Sequence, residues 1–460
     1  MQDEKNSRET FASRLGFIFL SAGCAIGLGN VWRFPFITGK FGGAAFVLIY
    51  ILFLFVFAMP IMVMEFAVGR ASKKSMSQSF AVLKPENKIW SLWGYIGWAG
   101  NYILMMFYTV VTGWMLAYTF YSFMGNLSGI NQEAVGNFFN SLLSSPIEMI
   151  LWMLLAVIIG FSVCFSGLRG GVEKVTKIMM SGLLIIMITL AIRSVTLDGA
   201  EDGLKFYLQP DFKKFAESGT WNVIYAALGQ SFFTLSIGIG SMAIFGSYIN
   251  KDKSLFGESL IITGLDTLVA LCAGLIIFPA CFAFGINPGA GPGLIFVTLP
   301  NMFNFMPAGQ IWSTLFFLFM SFAALSTVIA VTENIIAGIM DSLNLSRQRS
   351  CVIACLIIFL FSVPCALGFN LWSDVQPLGE GSMILDLEDF IVSNNLLPLG
   401  AIIYLLFCTT KYGWGWDNFI KEADTGNGIK FPKFLKLYFK YVIPLIMFFI
   451  FAFGYYEKFF

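Results

Sequence analysis

Histidine is absent from the sequence, and charged residues make up only 12% of it. The absence of histidine removes the commonest general base and the commonest metal ligand. No Walker GxxxxGKS/T, HExxH or GxSxG element occurs either, so we expect no enzyme. Because the net charge is +1 and charged residues are few, we expect no basic patch that would bind nucleic acid.

Motifs built on cysteine are lacking as well. The eight cysteines lie in or at the edge of apolar runs, and no CxxC pair occurs. They are typical of small buried side chains and not of disulfides or metal ligands. The polar residues 1–14 are not followed by a short apolar stretch with a small-residue cleavage site, so we expect no cleavable signal peptide.

Apolar residues, by contrast, make up 57% of the sequence, and 51 of the 460 residues are phenylalanine. Apolar runs of about 20 residues have the length of a helix that crosses a hydrocarbon core about 30 Å thick. The sequence therefore predicts an all-α membrane protein with one domain, residues 1–460. About eleven helices are expected, at residues 14–38, 43–70, 92–125, 149–167, 172–196, 221–249, 255–285, 311–342, 350–370, 384–410 and 434–456.

Lysine and arginine are distributed unevenly between the loops. They occur after the second, fourth, sixth, eighth and tenth predicted helices, whereas residues 126–148, 287–310 and 371–383 contain none. Because basic loops stay in the cytoplasm, this pattern predicts a cytoplasmic N-terminus, an external C-terminus and a multi-pass protein of the cell inner (plasma) membrane. The loop 197–220 contains lysines together with acidic residues, which weakens the pattern without reversing it.

Two predicted spans are interrupted by glycine in their middle. In the first, AGCAIGLGNVWRFP contains three glycines ahead of Asn30 and Arg33, and in the sixth, GQSFFTLSIGIGS contains Gly238 and Gly240. Glycines also serve close helix packing, but interrupted helices at matching places in two halves favour an inverted repeat with a binding site near the midplane. The predicted repeats are residues 14–196 and 221–410, and residues 434–456 form an additional helix.

Interrupted helices in a membrane expose backbone groups that lipid cannot satisfy. Freed carbonyls suit a hard cation or an ammonium group, and N–H groups at the start of the next half-helix suit a carboxylate. A site with both kinds of group suits a zwitterionic amino acid beside a cation such as Na⁺.

Polar side chains in other predicted spans support this interpretation. Ser326 and Thr327 follow Ala323 by three and four residues, although such hydroxyls often bond to their own helix. Asp266 is a lone carboxylate among apolar residues, and such an acid normally faces a partner or a cavity. Glu65 has two interpretations: it satisfies freed amides of the interrupted helices, or it lies close enough to the inner interface to be hydrated.

The stretches RLGFIFLSAGCAIGLGNVWRFP, GGAAF, GQSFFTLSIGIGS and AALST together resemble the neurotransmitter:sodium symporters, in particular their bacterial amino-acid branch with eleven helices. The resemblance runs from about Arg8 to the end of the tenth predicted helix. It implies a leucine-transporter-like fold, two Na⁺ ions, and sodium-driven import of an L-amino acid across the bilayer by alternating access. It leaves the oligomeric state open.

The resemblance also implies roles for individual residues. The first sodium site would comprise Ala25, Asn30, Thr234 and Asp266, and the second Gly23, Ile26, Ala323, Ser326 and Thr327. The substrate site would comprise Ala25, Gly27, Leu28, Gly29, Leu104, Tyr108, Phe233, Thr234, Ser236, Ile239, Val328 and Val331, with Phe233 as its lid. Arg33, Gln230 and Asp389 would form the outer gate, and Arg8 and Asp341 the inner gate.

The substrate class is predicted from three positions. Monoamine transporters of the family have an aspartate where this chain has Gly27, so the ligand should bring its own carboxylate. The leucine-selective relative has bulkier residues where this chain has Ile239 and Val331. The smaller side chains of this chain leave room for a larger ligand. We therefore expect an aromatic amino acid, tyrosine first, with leucine, tryptophan or other hydrophobic amino acids as alternatives. A channel or receptor is a distant alternative, because the polar residues gather at one depth and do not line a continuous pore.

Two departures from the family pattern carry further expectations. Asp266 replaces an asparagine and Ala270 replaces the serine of chloride-dependent members, so a fixed carboxylate would supply the negative charge, and transport should not need chloride. Whether Asp266 also returns with a proton stays open. In the fifth predicted helix Ser181 stands where related proteins have a proline that breaks the helix. Either Ser181 and Gly182 loosen the helix more gently than a proline would, or inward opening is slower.

Overall fold

The structure, a computed structural model, describes residues 8–217, 219–285 and 293–459, and these ranges contain helices but no β-strand. All eleven predicted helices occur, with ends that differ from the predicted ones by a few residues. They are α1 (Arg14–Ala25 and Gly29–Lys40), α2 (Ala44–Ser72), α3 (Lys88–Phe123), α4 (Pro146–Phe165), α5 (Leu168–Val195), α6 (Thr220–Thr234 and Ser241–Tyr248), α7 (Leu255–Ala283), α8 (Gly309–Leu343), α9 (Arg347–Leu367), α10 (Ile384–Thr409) and α11 (Lys433–Tyr456).

Most of these helices have the length and apolarity of membrane spans. Among the described residues nine helices qualify, and α1, whose halves are bent by 51°, is a tenth. The two pieces of α6 are each shorter than a span and are separated by turns. The all-α fold is thus confirmed, whereas eleven crossings, the inverted repeat and the sides of the two termini stay predictions.

The first half of α1 begins and ends for local reasons. The Ser13 side chain accepts a hydrogen bond from the Gly16 amide and so caps the helix. The half ends at Ala25 because Ile26 has φ −73° and ψ 82°, which lies outside the helical region. The backbone groups that follow are therefore free to bind something other than their own helix.

The break in α6 depends on residues with positive φ. Gly238 has φ 104° and Gly240 has φ 78°, which glycine adopts readily because it lacks a Cβ. Ser236 has φ 50°, and an L-residue pays about 1–2 kcal/mol for this conformation. Such strain is concentrated at functional sites.

Glycine packing, the alternative role that the sequence left open, is found between α2 and the second half of α6. A Cβ at Gly69 would lie 1.7 Å from the Ala243 carbonyl oxygen, and one at Gly246 would lie 2.4 Å from the Phe66 carbonyl oxygen. The two backbones therefore touch directly, as small residues allow in membrane helices.

The central helices are distinguished by burial. In the apolar window of each helix, 72% of α3 and 78% of α8 is buried, against 17% of α11. The breaks of α1 and α6 each contact both α3 and α8, so they lie in the interior. α5 is continuous through Ser181 and Gly182, as expected for a helix in which serine stands at the position of a proline.

Among the described residues, six short helices connect the spans and are not predicted by the sequence analysis, which treated these stretches as loops. They are Met76–Leu83, Gln132–Ser144, Glu201–Leu208, Phe212–Glu217, Leu299–Asn304 and Trp416–Ala423.

Candidate ion and substrate site

The breaks in α1 and α6 lie against each other and against α3. The Leu28 amide, freed by the break in α1, donates to the Tyr108 hydroxyl at 3.0 Å. The Ser236 hydroxyl, in the break of α6, donates to the Cys24 carbonyl at 3.2 Å. Side chains of neighbouring helices thus replace some of the hydrogen bonds that the helices lost.

A cavity of about 20 Å³ lies between the two breaks, with room for about one water molecule. It is lined by Cys24, Ala25, Gly27, Gly29, Leu104, Tyr108, Phe233, Ser236, Ile239, Thr327 and Leu397. Most of these belong to the predicted substrate site, and Thr327 was predicted for the second sodium site. Cys24 and Leu397 were not predicted, and no pattern near Leu397 marks it, because it reaches the cavity only through the packing of α10 on Gly238.

Val328 and Val331 were predicted to line the pocket, and this stays a prediction, because in the described conformation the cavity is small and neither residue lines it. Both are buried. Val328 packs against α4, since its Cγ1 lies 2.6 Å from where a Cβ at Gly160 would be. Successive helical residues point about 100° apart, so Val328 faces away from the direction of Thr327 in this conformation. Of the two positions used to predict the size of the ligand, Ile239 lines the cavity and Val331 stays a prediction.

Gly27 and Gly29 are surrounded closely. A Cβ at Gly27 would lie 2.5 Å from the Tyr108 hydroxyl and 2.6 Å from the Thr327 hydroxyl. A Cβ at Gly29 would lie 2.8 Å from the Phe233 ring. The backbone of α1 is therefore directly accessible to whatever occupies the cavity, and Phe233 covers it.

Asn30, Thr234 and Asp266, predicted for the first sodium site, are brought together and are fully buried. The Asn30 amide donates to Asp266 Oδ1 at 2.8 Å, and the Thr234 hydroxyl lies 3.0 Å from Asp266 Oδ2 and 3.1 Å from Asn30 Oδ1. Within the described ranges Asp266 has no ion-pair partner among the lysines and arginines. A buried carboxylate with only neutral neighbours fits a small cation, because an unpaired charge is costly inside a membrane. The Ala25 carbonyl, also predicted for this site, accepts the Gly27 amide at 2.9 Å.

The second predicted sodium site is a cluster of oxygens around Ser326. Its hydroxyl lies 2.8 Å from the Gly23 carbonyl, 2.9 Å from the Ala323 carbonyl and 3.4 Å from the Ile26 carbonyl. The Thr327 hydroxyl lies 3.3 Å from the Gly23 carbonyl. Each hydroxyl has one hydrogen to donate, so the carbonyls outnumber the donors. An excess of oxygen lone pairs at one point fits a hard cation.

Glu65 shows which of its two interpretations applies. It is fully buried, and its Oε1 accepts a hydrogen bond from the Gly238 amide in the break of α6. It therefore satisfies a freed amide and is not hydrated at an interface. Glu65 is an acid within an apolar span, and this pattern could have been used to predict that it belongs to the site.

The predicted inner-gate pair is formed at the end of the molecule that we call the Arg8 end. Arg8 Nη1 donates to both oxygens of Asp341, at 2.8 and 2.9 Å. The Ser75 amide donates to the same carboxylate at 2.7 Å. The Arg8 end is thus closed by a part-buried, bidentate ion pair.

The predicted outer-gate pair is not formed at the opposite end, which we call the Arg33 end. Among the described residues no ion pair within 4.0 Å joins Arg33 to Asp389. The Arg33 guanidinium lies over the Phe233 ring, 4.5 Å from its centroid, and Asp389 accepts the Ser393 hydroxyl at 2.6 Å. Gln230 donates to a backbone carbonyl of α1. A cavity of about 400 Å³ at this end is lined in part by Arg33 and by Ser393, the residue that Asp389 binds.

Comparison with known proteins identifies this arrangement. Residues 8–140 and 138–458 match the model of the sodium:neurotransmitter symporter family. The chain belongs to this family. It is a sodium-dependent symporter of the membrane and not an enzyme.

Curated relatives and a solved structure agree over nearly the whole chain. The uncharacterized sodium-dependent transporter YhdH of Bacillus subtilis is 34% identical, over 96% of this chain and 96% of its own. An uncharacterized sodium-dependent transporter of Haemophilus influenzae is 35% identical, over 98% of this chain and 99% of its own. The crystal structure of MhsT in complex with L-phenylalanine superposes with a TM-score of 0.87 and is 37% identical, covering 97% of this chain and 99% of MhsT.

Proposed function

We propose that this symporter uses the Na⁺ gradient to import an aromatic L-amino acid by alternating access across the inner (plasma) membrane, without chloride. The observation that supports the proposal is that two oxygen clusters, around Asp266 and around Ser326, lie next in sequence to residues that line one covered cavity, Gly29, Phe233 and Thr327. Two Na⁺ ions would occupy the clusters, and the amino acid would occupy the cavity.

The backbone at the cavity provides for both charged ends of an amino acid. The amides of Leu28 and Gly29, at the start of the second half of α1, would bind the carboxylate together with the Tyr108 hydroxyl. Carbonyls of Ala25, Phe233 and Thr234 would bind the ammonium together with the Ser236 hydroxyl. Because the chain has Gly27 and no acid at this point, an amine without a carboxylate would be bound poorly.

The side-chain end of the cavity favours an apolar ligand. Leu104, Ile239 and Leu397 carry no hydrogen-bonding group, and a tyrosine hydroxyl buried among them would lose its bonds to water. MhsT, the solved relative, was crystallised with L-phenylalanine. We therefore expect phenylalanine to be preferred over tyrosine, the reverse of the order expected from the sequence. An aromatic ligand enters only if Phe233 moves, since the cavity is about 20 Å³ in this conformation.

Chloride independence is supported by the surroundings of the first cluster. Asp266 provides a permanent carboxylate, and Ala270, one turn further along α7, is fully buried and apolar. A second anion beside Asp266 would be repelled by it and would find no hydroxyl at position 270.

Uptake into proteoliposomes tests the proposal. Labelled phenylalanine, tyrosine, tryptophan and leucine are offered with Na⁺ or choline, and with chloride or gluconate, and Asp266→Ala is the loss-of-site variant. We expect uphill phenylalanine uptake with Na⁺ only, unchanged in gluconate and reduced more than about tenfold in the variant, because one lost ion ligand costs at least about 1.4 kcal/mol. Equilibration without Na⁺ would refute symport, whereas a preference for leucine over all aromatics would refute only the substrate class.

A further inference from the structure

The Ile239 carbonyl, at the end of the break in α6, is bound by side chains and not by its own helix. It accepts the Asn101 side-chain amide of α3 at 2.9 Å, and the Asn334 amide of α8 lies 3.5 Å away. The Ile239 side chain lines the substrate cavity. One residue therefore forms the cavity wall with its side chain and is held in place through its carbonyl.

Asn101 and Asn334 form a directed chain of hydrogen bonds. Asn334 Nδ2 donates to Asn101 Oδ1 at 2.9 Å, and Asn101 Nδ2 donates onward to Ile239. The Ser241 hydroxyl, at the start of the second half of α6, lies 3.5 Å from the same Asn101 oxygen. Because an amide has two N–H donors and an acceptor oxygen, the pair can connect α8, α3 and α6 in sequence, which an apolar side chain cannot do.

Both asparagines are fully buried in otherwise apolar helices. A polar side chain in this environment is unfavourable unless its hydrogen bonds are made, and an unbound carbonyl in the break would be unfavourable as well. The pair resolves the second problem, because it supplies the donor that the unwound Ile239 lacks, while Asn334 Oδ1 accepts no hydrogen bond among the described residues. The pair contains no titratable group, so its bonding does not depend on pH.

The positions of the pair connect it to the proposed sites. On α3, Asn101, Leu104 and Tyr108 are spaced by three and four residues and lie on one face, so the bond to Ile239 sets its distance from the Leu104 and Tyr108 wall. On α8, Asn334 lies seven residues, or about two turns, after Thr327 and on the same face.

We propose that Asn101 and Asn334 are positioning residues that hold the break of α6 in the shape of the substrate cavity and so determine which amino acids fit. The inference deepens the proposed function and rests on it for the substrate. The hydrogen-bond chain itself can be tested without any transport.

Amide hydrogen exchange on the purified protein tests the positioning role. Asn101→Ala and Asn334→Ala should raise exchange in residues 235–241 about tenfold or more, because the break loses its fixed partner. The matched control is Ser122→Ala with Ser313→Ala, whose buried hydroxyls also join α3 and α8, at 2.9 Å, but do not contact α6. Should Asn334→Ala not fold, Asn334→Ser, which keeps a donor, is expected to give a smaller rise. Equal exchange in the variants and the control overturns the proposal.

Substrate selectivity tests the specificity role. In uptake assays the ratio of KM for phenylalanine to KM for leucine should change about fivefold or more in Asn101→Ala, and less than about twofold in the serine control, since only the former releases a cavity wall. A merely structural defect would reduce the amount of active protein and leave the ratio unchanged, and an unchanged ratio overturns the specificity role. If the wild type shows no sodium-driven uptake, the proposed function fails while the exchange result still decides the positioning role.

Discussion

The two ends of the molecule hold their charges differently. At the Arg8 end, Glu333 is fully buried and Asp341 is part-buried, and each is ion-paired, Asp341 with Arg8 and Glu333 with Arg347. At the Arg33 end, Arg33 faces a ring and a cavity of about 400 Å³. The ion pair that the structure describes near that end, Lys205–Asp202, is exposed on both side chains, by 58% and 78%.

The difference suggests how the two ends exchange roles in the proposed cycle. Buried ion pairs are costly to separate, because each charge loses its partner without regaining water. Hydrated charges rearrange at little cost. We expect Arg33 and Asp389 to pair only when the Arg33 end closes, so that a pair gained there offsets the pair lost between Arg8 and Asp341. In the described conformation the Phe233 ring covers the cavity at the Arg33 end, whereas an ion pair holds the Arg8 end closed.

The largest effect is expected from the buried Glu333 and its partner Arg347. Arg347 donates to both oxygens of Glu333, at 2.8 and 2.7 Å, and Tyr248 adds a third bond at 2.6 Å. Glu333→Gln leaves Arg347 without this charge and should lower the free energy of unfolding by about 3 kcal/mol. Unfolding in mixed SDS micelles measures the change. Asp202→Asn, which removes an exposed pair, should change it by less than about 0.5 kcal/mol. A similar loss in both variants would show that burial does not distinguish the ends.

The next effect concerns the gate at the Arg8 end. Asp341→Asn removes the partner of Arg8 and should favour opening there by about 1.5–3 kcal/mol, the contribution of hydrogen bonds to a charged group. Cys24 lines the cavity and serves as the native reporter. Its alkylation by a reagent added from the Arg8 side, followed by peptide mass spectrometry, should accelerate about tenfold or more. An unchanged rate would mean that the pair does not hold this end closed.

A smaller effect is expected from the corresponding acid at the Arg33 end. Asp389 binds Ser393 on its own helix and is not paired with Arg33 in this conformation. Asp389→Asn should therefore leave the free energy of unfolding within about 0.5 kcal/mol, as for a surface substitution. It should still raise KM for the substrate, because the closed state of that end loses its pair. If the variant is as destabilised as Asp341→Asn, the two ends are alike.

The smallest effect is a pH dependence at the Arg8 end. Burial, with nearby Arg70 and Lys251, lowers the pKa of Lys73, whose ammonium donates to the Ile249 carbonyl at 2.8 Å. Between the lowered folded pKa and the ordinary one, the unfolded chain binds more protons, so stability rises as pH increases through this window. The melting temperature of the wild type should rise relative to that of Lys73→Met as pH approaches about 10. Parallel curves for the two proteins would contradict this.

The helices and their two breaks could be predicted because apolar length and mid-span glycine act locally. The grouping of Asn30, Thr234 and Asp266 could be predicted only through the family resemblance. Val328 lies outside the cavity in this conformation, because a shift of one helical position turns a side chain by about 100°. The pairing of Asn101 with Asn334, 233 residues apart, leaves no local pattern in one sequence. Whether Arg33 and Asp389 form an ion pair could not be predicted, because the same two residues would be paired when that end is closed and separate when it is open.

The direct backbone contact between α2 and α6 has a consequence for how the chain is assembled. The second half of α6 has eight residues and is about 12 Å long, well short of the hydrocarbon thickness. It cannot hold its depth in lipid alone, and it gains that depth from the surface that Gly69 presents. Since α2 is synthesised before α6, the receiving surface is already in the membrane when the short piece arrives. We therefore expect Gly69 to control the yield of inserted protein during biogenesis, before any question of transport arises.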